Sequence, residues 1–459
     1  MIIHNSLYIF QKDFYNIWRF FKYILRWYFL LRSKKLGDVH YTMKVKLLVF
    51  LSLLWQIISI TAVGLLYDLY IAAICTVVIL AAYPIYLVLG QLILLPIECI
   101  FKKRIVSQAK NKLKKLSHLH IIGIVWSYGK TSTKHVLYHT YKNIVPTVTT
   151  SGNTNTLLGV ANFILQEVQE NHKIVIVEMG EHYAGDIKDL CDLIDPKTIV
   201  VTWLTLQHAE RMWDLKTIEK VLFEFRWHPS VEQVLINGDD ENLRNAITHY
   251  PLPLNVAIQI LSQPKEVQVE KNFWGIVFDY KGHKTQSRLL WKHASIFIVI
   301  SLYLGEYLHI PVDTMIREIA HISYIEHRLE LIYNPVSDIY VIDDSYNGNI
   351  QWVRATIDLI KDTDFAGKKI YITPGLMELW SFWEQIHTQL AQIIYNKFDL
   401  VMLIENTNTQ YIYKKLIEQG ENANKIIMFK NRSQAHIQLK KYTTPHSVIV
   451  FQNDIPEWF

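Results

Sequence analysis

Leu47–Leu66 is a run of twenty residues without a charge, and Tyr70–Ile97 is a second, interrupted only by Pro84, Gly90, Gln91 and Pro96. A helix needs about 20 apolar residues to cross a bilayer, so both runs qualify as spans. The intervening Tyr67-Asp68-Leu69 is long enough only for a tight hairpin. Lys44 and Lys46 precede the first run, and Lys102, Lys103, Arg104, Lys110, Lys112, Lys114 and Lys115 follow the second. Basic residues gather on the cytoplasmic side of spans, which puts both ends of the hairpin there. Ahead of it, residues 15–32 are rich in aromatics, and Arg19, Lys22 and Arg26 share a helical face opposite Trp18, Phe21 and Leu25. That pattern predicts a helix lying in the membrane interface. No cleavable signal is expected, because the Gln11–Asn16 stretch is polar and no short apolar core leads to a small-residue cleavage site.

Half of the 459 residues are hydrophobic, high for a soluble chain, and the excess sits in this N-terminal part. Residues 1–115 hold 16 Lys/Arg against Asp13, Asp38, Asp68 and Glu98, a net charge of +12. The whole chain carries +5, which leaves −7 for residues 116–459. The basic character therefore belongs to residues 15–115, where membrane lipids with anionic headgroups are the expected partner and nucleic acid is not. Cys75, Cys99 and Cys191 suggest neither a disulfide framework nor a metal-ligand cluster, as suits a reducing cytosol.

From residue 116 short β-branched runs alternate with longer helical ones. Lys173–Glu178, Thr198–Trp203 and Val231–Asn237 read as buried parallel strands, with helices near 156–169 and 216–228 between them. Residues 253–290 read as a β-rich appendage, and 292–307 as a helix returning to the core. A second alternation places strands at 339–343, 369–373, 400–404, 425–429 and 447–451. The expected fold class is α/β: two doubly wound domains in tandem, 116–322 and 323–459, after a membrane hairpin in 1–115.

Within the first of these domains, His120–Val125 reads as a buried strand, Gly129 permits a tight turn, and Lys130-Thr131 open a helical segment. That is the order of parts a phosphate-binding loop needs: backbone N–H groups and a helix N-terminus meet the anion, the lysine neutralises it, and a hydroxyl reaches a magnesium ion. The generic motif also wants a glycine at position 124, which is Ile124. Gly123-Ile124 with Ser127-Tyr128-Gly129-Lys130-Thr131 instead resembles the nucleotide loop of the Mur ligases, the ATP-dependent amide-forming enzymes of peptidoglycan synthesis. Trp126 stands where that family has its second glycine.

Further motifs follow in family order. Glu178-Met-Gly180 resembles the branch that adds D-Ala-D-Ala to a muramoyl tripeptide, and Thr149–Thr156 resembles its loop for the muramoyl-peptide substrate. His208 resembles the histidine near a second magnesium ion. Lys292-His293 match the adenine-side pattern, in which Ala294 and Phe297 replace asparagines. The family's carbamylated lysine, two residues before a glutamate, has Leu222 in its place when that glutamate is set on Glu224; Lys220 lies roughly 200° away round a helix. His327-Arg-Leu-Glu330, Asp343–Asn349 and Thr373–Leu379 also resemble the D-Ala-D-Ala-adding branch.

The resemblance spans roughly residues 118–459 and implies a P-loop-type central domain and a Rossmann-like C-terminal domain. It implies ATP and Mg2+ as cofactors and Lys130, His208, Arg328 and Asp344 as catalytic residues. Ser127, Tyr128, Gly129, Lys130, Thr131, Ser132, His293 and Arg328 would bind nucleotide. Thr131, Glu178 and His208 would hold the metal, and Asn155, Thr156, Ser345 and Asn347 would bind substrate. The implied reaction joins D-Ala-D-Ala, or another amine, to a muramoyl-peptide carboxylate through an acyl phosphate at the bacterial cytoplasmic membrane, with the catalytic domains in the cytoplasm. Two alternatives stand beside it: a ligase for a lipid-linked or polymeric acceptor, motivated by membrane spans where the family's uridine-binding domain is usual, and a catalytically degraded scaffold of the cell-wall machinery.

Overall fold

The computed structural model describes residues 1–459 except 1, 13–14, 16, 18–19, 21–38, 126–128, 182, 205–214, 270–274, 323, 347, 349, 363–365, 377–381 and 456–459. It divides into two compact units, Met1–Ser107 and Gln108–Phe459.

In the first unit, helix Ile2–Lys12 is followed by helices Met43–Leu66 and Leu69–Ala81 and by the start of Tyr83–Lys115. Met43–Leu66 and Tyr83–Lys115 are long and apolar enough to cross a membrane. The seam of the hairpin is polar in places. Ser52 Oγ donates to the carbonyls of Leu48 and Tyr86, Gln56 Nε2 donates to the Ile79 carbonyl at 3.0 Å, and Lys44 pairs with Glu98 at 2.9 Å. Away from the seam, Phe50, Ile57, Leu65, Leu69, Tyr70 and Val77 are exposed, an exterior with the character of a lipid-facing surface. The Tyr70–Ile97 run, read as one span, is instead two helices. Pro84 has no N–H for the Leu80 carbonyl and sits naturally in the first turn of a new helix, so the chain breaks at Ala82. Asp68 caps the helix after the turn, accepting from the Tyr70 and Ile71 amides. The expected interfacial helix over 15–32 lies outside the described residues, apart from Tyr15, Ile17 and Phe20.

Among the described residues, the second unit holds three sheets. β1 (His120–Val125), β2 (Thr147–Thr149), β3 (Ile174–Met179), β4 (Thr198–Val201), β5 (Gln233–Asn237) and β6 (Ala257–Leu261) form a parallel sheet in the order β2-β3-β1-β4-β5-β6. β3, β4 and β5 are buried along their whole length, as continuous β-branched runs require when both faces are covered. Gly123 sits mid-strand because a Cβ there would come within 2.6 Å of Met179 Sδ and 2.9 Å of Ile199 Cδ1, side chains of the two flanking strands.

β7 (Gln268–Val269), β8 (Ile276–Tyr280) and β9 (His283–Ser287) make a small antiparallel sheet. The β-rich appendage expected over 253–290 is thus smaller than its sequence suggests. β6 belongs to the main sheet, as its exposed edge strand, and an edge strand with only one buried face lacks the continuous apolar run that marked the others. Helix Ala294–Tyr307 packs back on helix Lys130–Tyr141.

β10 (Glu330–Asn334), β11 (Ile339–Tyr346), β12 (Lys369–Thr373), β13 (Leu400–Ile404), β14 (Ile426–Phe429) and β15 (Val448–Ile455) form a sheet ordered β10-β11-β15-β12-β13-β14, parallel except for β10. The helix expected over 216–228 is helical only to Leu222 and continues as a tighter 3-10 turn, Phe223–Trp227.

Candidate active site

The carboxyl ends of β1 and β3 carry the first group of side chains, where open parallel sheets bind their ligands. Gly129 has φ +85°, a left-handed conformation, and helix Lys130–Tyr141 starts at the next residue. A Cβ at Gly129 would also stand 3.0 Å from the Trp203 ring. The helix therefore presents its first-turn amides and the positive end of its dipole at this point.

Three charged contacts organise the site. Lys130 Nζ donates to both carboxylate oxygens of Glu181, at 2.8 and 3.0 Å. Lys134, one turn on and on the same helical face, pairs with Glu178 at 3.0 Å and donates to the Gly152 carbonyl at 2.6 Å. Thr131 Oγ1 donates to Glu178 Oε2 at 3.2 Å. Glu178 is buried near the end of β3, paired in register with Ile124 of β1, and its amide donates to Thr150 Oγ1. The Thr149–Thr156 loop is thereby stitched to the strand end, and Gly180 N donates to the Asn155 carbonyl at 2.9 Å. Thr156 Oγ1 accepts from the Gly159 amide and caps helix Leu157–Gln166.

Ser132 Oγ is fully buried in the first turn and has no hydrogen-bond partner among the described residues. An orphaned hydroxyl beside a left-handed glycine, a lysine and a helix N-terminus suits an anionic oxygen. The Thr131 hydroxyl with the Glu178 carboxylate is an oxygen donor set of the kind magnesium takes. The residues present therefore fit both a phosphate and its cation. Ser127, Tyr128 and His208 lie outside the described residues, as does Trp126.

Two positions that depart from the family pattern are packed in the core. Leu222 is fully buried, while Lys220 is exposed. Glu224 accepts from the amides of Gly185 (2.7 Å) and Lys188 (3.2 Å) and so serves the start of helix Asp186–Ile194; burial pushes its carboxyl up despite these amides. Phe297 is also fully buried, edge-on to Trp203 at 5.2 Å between ring centres, so it props the Trp203 ring that lies against Gly129. Phe297→Ala is expected to cost about 3 kcal/mol of stability through the cavity it opens; an unchanged urea midpoint would contradict this packing role.

His293 lines a cavity of about 480 Å3 with Lys265, Trp291, Lys292, Asp358 and Lys361. Burial holds its imidazole below the ordinary value, although Asp239 and Asp358 act in the opposite direction. The cavity joins the segments flanking the small sheet to helix Ile350–Asp362, where Trp291 meets Trp352 edge-on at 4.9 Å.

The second group sits where the chain enters the C-terminal sheet. Arg328 is buried, and its neighbours His327 and Leu329 both have left-handed backbones, φ +59° and +48°. Two such non-glycine residues in succession about one arginine are costly and persist only where surroundings hold them. His327 Nδ1 lies 2.7 Å from Asp343 Oδ2, and the Glu330 carboxylate accepts from the His327 amide. Although partial burial opposes it, the Asp343 contact holds the His327 imidazole above its usual value. Asp344 is buried, with Oδ2 unpartnered among the described residues. Burial pushes its carboxyl up to about 8 against the opposing pull of Arg328. Ser345 is buried beside it, its amide donating to Asp343 Oδ1 at 3.0 Å. Asn347 lies outside the described residues.

The structure thus gathers Lys130, Thr131, Ser132 and Glu178 at the carboxyl ends of β1 and β3, with Asn155 beside them, and Arg328, Asp344 and Ser345 where the chain enters the C-terminal sheet. Sequence reasoning missed Lys134 and Glu181, and it named His327 within a motif without its contact to Asp343. Lys134 was available from its four-residue spacing to Lys130; Glu181 lies one residue beyond the strand-end motif.

Residues 127–302 match the Mur ligase middle domain family. The chain carries a Mur ligase middle domain. It is 26% identical over 289 residues to the UDP-N-acetylmuramoyl-tripeptide–D-alanyl-D-alanine ligase of Bacillus subtilis, covering 62% of this chain and 62% of that one. The chain thus spans less than two thirds of that relative's length. Its fold is that of the Mur ligases: it superposes on MurF of Thermotoga maritima, solved in complex with ADP, with a TM-score of 0.65 at 21% identity, over 76% of this chain and 80% of that one. For MurF of Acinetobacter baumannii the TM-score is 0.63 at 18% identity, over 76% and 77%.

Proposed function

We propose that this chain is an ATP-dependent amide ligase that joins D-Ala-D-Ala to the carboxylate of a muramoyl tripeptide. The observation that carries the reading is the Lys130–Thr131–Glu178 group on a Mur ligase middle domain, at the start of a helix and the end of β3. In the reaction, the terminal phosphoryl group of ATP passes to the substrate carboxylate and ADP leaves. The amine then attacks the acyl carbon and inorganic phosphate departs.

Lys130 and the first-turn amides bind the phosphates, and Ser132 Oγ, which has no partner among the described residues, donates to one of their oxygens. Thr131 and Glu178, with His208 as the family resemblance implies, would hold Mg2+, which would supply positive charge at the transferring group. Arg328 offers a planar, permanently charged donor for the same group. Asp344 would orient the ribose or phosphate, Ser345 with Asn347 would bind the incoming amine, and Asn155 and Thr156 would meet the muramoyl peptide. The cavity at His293 accommodates the nucleoside end, its lysines and aromatic walls suiting a base and its sugar.

The organisation that serves this reading is a membrane hairpin in 1–115 followed by catalytic domains 116–322 and 323–459 in the cytoplasm. The exposed apolar side chains of the hairpin and its basic flank support anchoring to lipid. That anchoring favours a second reading of the acceptor, a muropeptide linked to lipid at the same surface. Full-length protein in nanodiscs, given Mg-ATP, D-Ala-D-Ala and either the nucleotide-linked or the lipid-linked tripeptide, is expected to release phosphate only when both substrates are present. Release with neither dipeptide nor acceptor dependence would end the ligase reading, and equal use of the two acceptors would end the second one.

A further inference from the structure

The Lys130 ammonium is committed before any ligand arrives. Two of its three N–H donors go to the two oxygens of Glu181, at 3.0 and 2.8 Å, and the Glu181 side chain is 1% exposed. The other nearby lysine does not relieve it, because Lys134 is held by Glu178 and by the Gly152 carbonyl. A phosphate oxygen seeking the ammonium meets a carboxylate already seated on it. Two anions on one ammonium, in a pocket from which water is largely excluded, repel strongly.

We propose that Glu181 is the internal counter-ion that Lys130 exchanges for a nucleotide phosphate, and that this exchange makes phosphate binding at the loop dependent on a divalent cation. The proposal rests on the reading that the loop binds nucleotide. Charge balance is the physical reason. Glu178 and Glu181, three residues apart at the end of β3, bring two carboxylates to the place where the phosphates enter, and Lys130 and Lys134 balance them one for one. Adding a diphosphate without a cation leaves that balance broken. A divalent cation with the nucleotide restores it, because hard cations take carboxylate and phosphate oxygens together. Glu181 therefore acts through Lys130, as a positioning residue: it holds the lysine extended toward the strand end and rejects phosphates that arrive without metal.

The test is calorimetric titration of ADP into full-length protein in detergent, with Mg2+ or with EDTA, for wild type, Glu181→Gln, Glu181→Asp and Lys130→Ala. Wild type is expected to lose affinity ~100-fold on removal of the cation. Glu181→Gln, which keeps the shape and removes the charge, is expected to bind metal-free ADP ~10-fold more tightly than wild type, shrinking the cation dependence correspondingly. Glu181→Asp keeps the charge and is expected to restore the wild-type dependence. A folded Glu181→Gln protein with the wild-type metal-free affinity overturns the proposal. So does a wild type that binds ADP equally with and without Mg2+, a result that needs no variant. If wild type binds no ADP with Mg2+ present, the nucleotide reading itself falls; if Lys130→Ala abolishes binding while Glu181→Gln changes nothing, only the counter-ion proposal falls.

Discussion

Lys130→Ala is expected to lower ligation at least ~10^3-fold, the scale for removing a preorganised charge from a phosphoryl-transfer site. The same substitution has a structural cost, because Glu181 is 1% exposed and loses the ammonium that compensates it. Removing one member of a buried pair costs about 3 kcal/mol. The double variant Lys130→Ala/Glu181→Gln is therefore expected to recover most of the stability and none of the turnover. Measuring both quantities on wild type, Lys130→Ala, Glu181→Gln and the double variant separates the two roles of the lysine. Turnover near the wild-type value in the single variant would remove the site assignment altogether. A single variant as stable as wild type would show that the Glu181 carboxylate finds another partner.

Asp344→Asn is expected to have the largest pH-dependent effect. In the unfolded chain this carboxyl ionises near 3.8, whereas burial in the fold raises it to about 8. Between those values the folded state binds the extra proton, so stability is full below about pH 4 and falls as pH rises toward 8. A tenfold change in proton affinity is worth about 1.4 kcal/mol, so the wild-type loss across this window is on the order of 5 kcal/mol. Asparagine cannot ionise and escapes the decline. Thermal melting of the two proteins from pH 4 to 9 is expected to give similar midpoints at the acid end and a more stable variant at the alkaline end. A constant difference across the range would mean that the carboxyl is not held protonated. Turnover is expected to move the other way, with the variant at least ~10^2-fold slower, as for removal of one positioned polar group from a site. A buried acid that lowers stability at neutral pH is the kind of local cost that persists at a working site.

The alternation of strands and helices after residue 116 was legible because its physical cause is local. Strands buried on both faces must be apolar throughout, and Ile174–Met179, Thr198–Val201 and Leu400–Ile404 announce themselves by composition. β6 was read into the appendage instead of the main sheet, because an edge strand with one covered face has no such run. The break at Ala82 is marked by Pro84, but an uncharged stretch of sufficient length masks it unless the missing N–H is followed to its partner. In the site, residues that end strands or open helices were found by position: Gly129, Lys130, Thr131 and Glu178. Glu181, the contact of His327 and the propping role of Phe297 were not, since each depends on a neighbour distant in the chain: Lys130, Asp343 and Trp203.

By itself, the sequence determined the strands buried on both faces, where the apolar hairpin lies, and which side chains stand at the carboxyl ends of β1 and β3. These follow from periodicity, from glycine and proline, and from motif spacing, all of which act over a few residues. Only the tertiary structure decided which charge meets which. Lys130 pairs with Glu181 and leaves Glu178 to Lys134, and the Asp344 carboxyl is buried beside Arg328. Pairing and burial are set by packing between strands and helices far apart in the chain, and a carboxylate's charge depends on that surrounding.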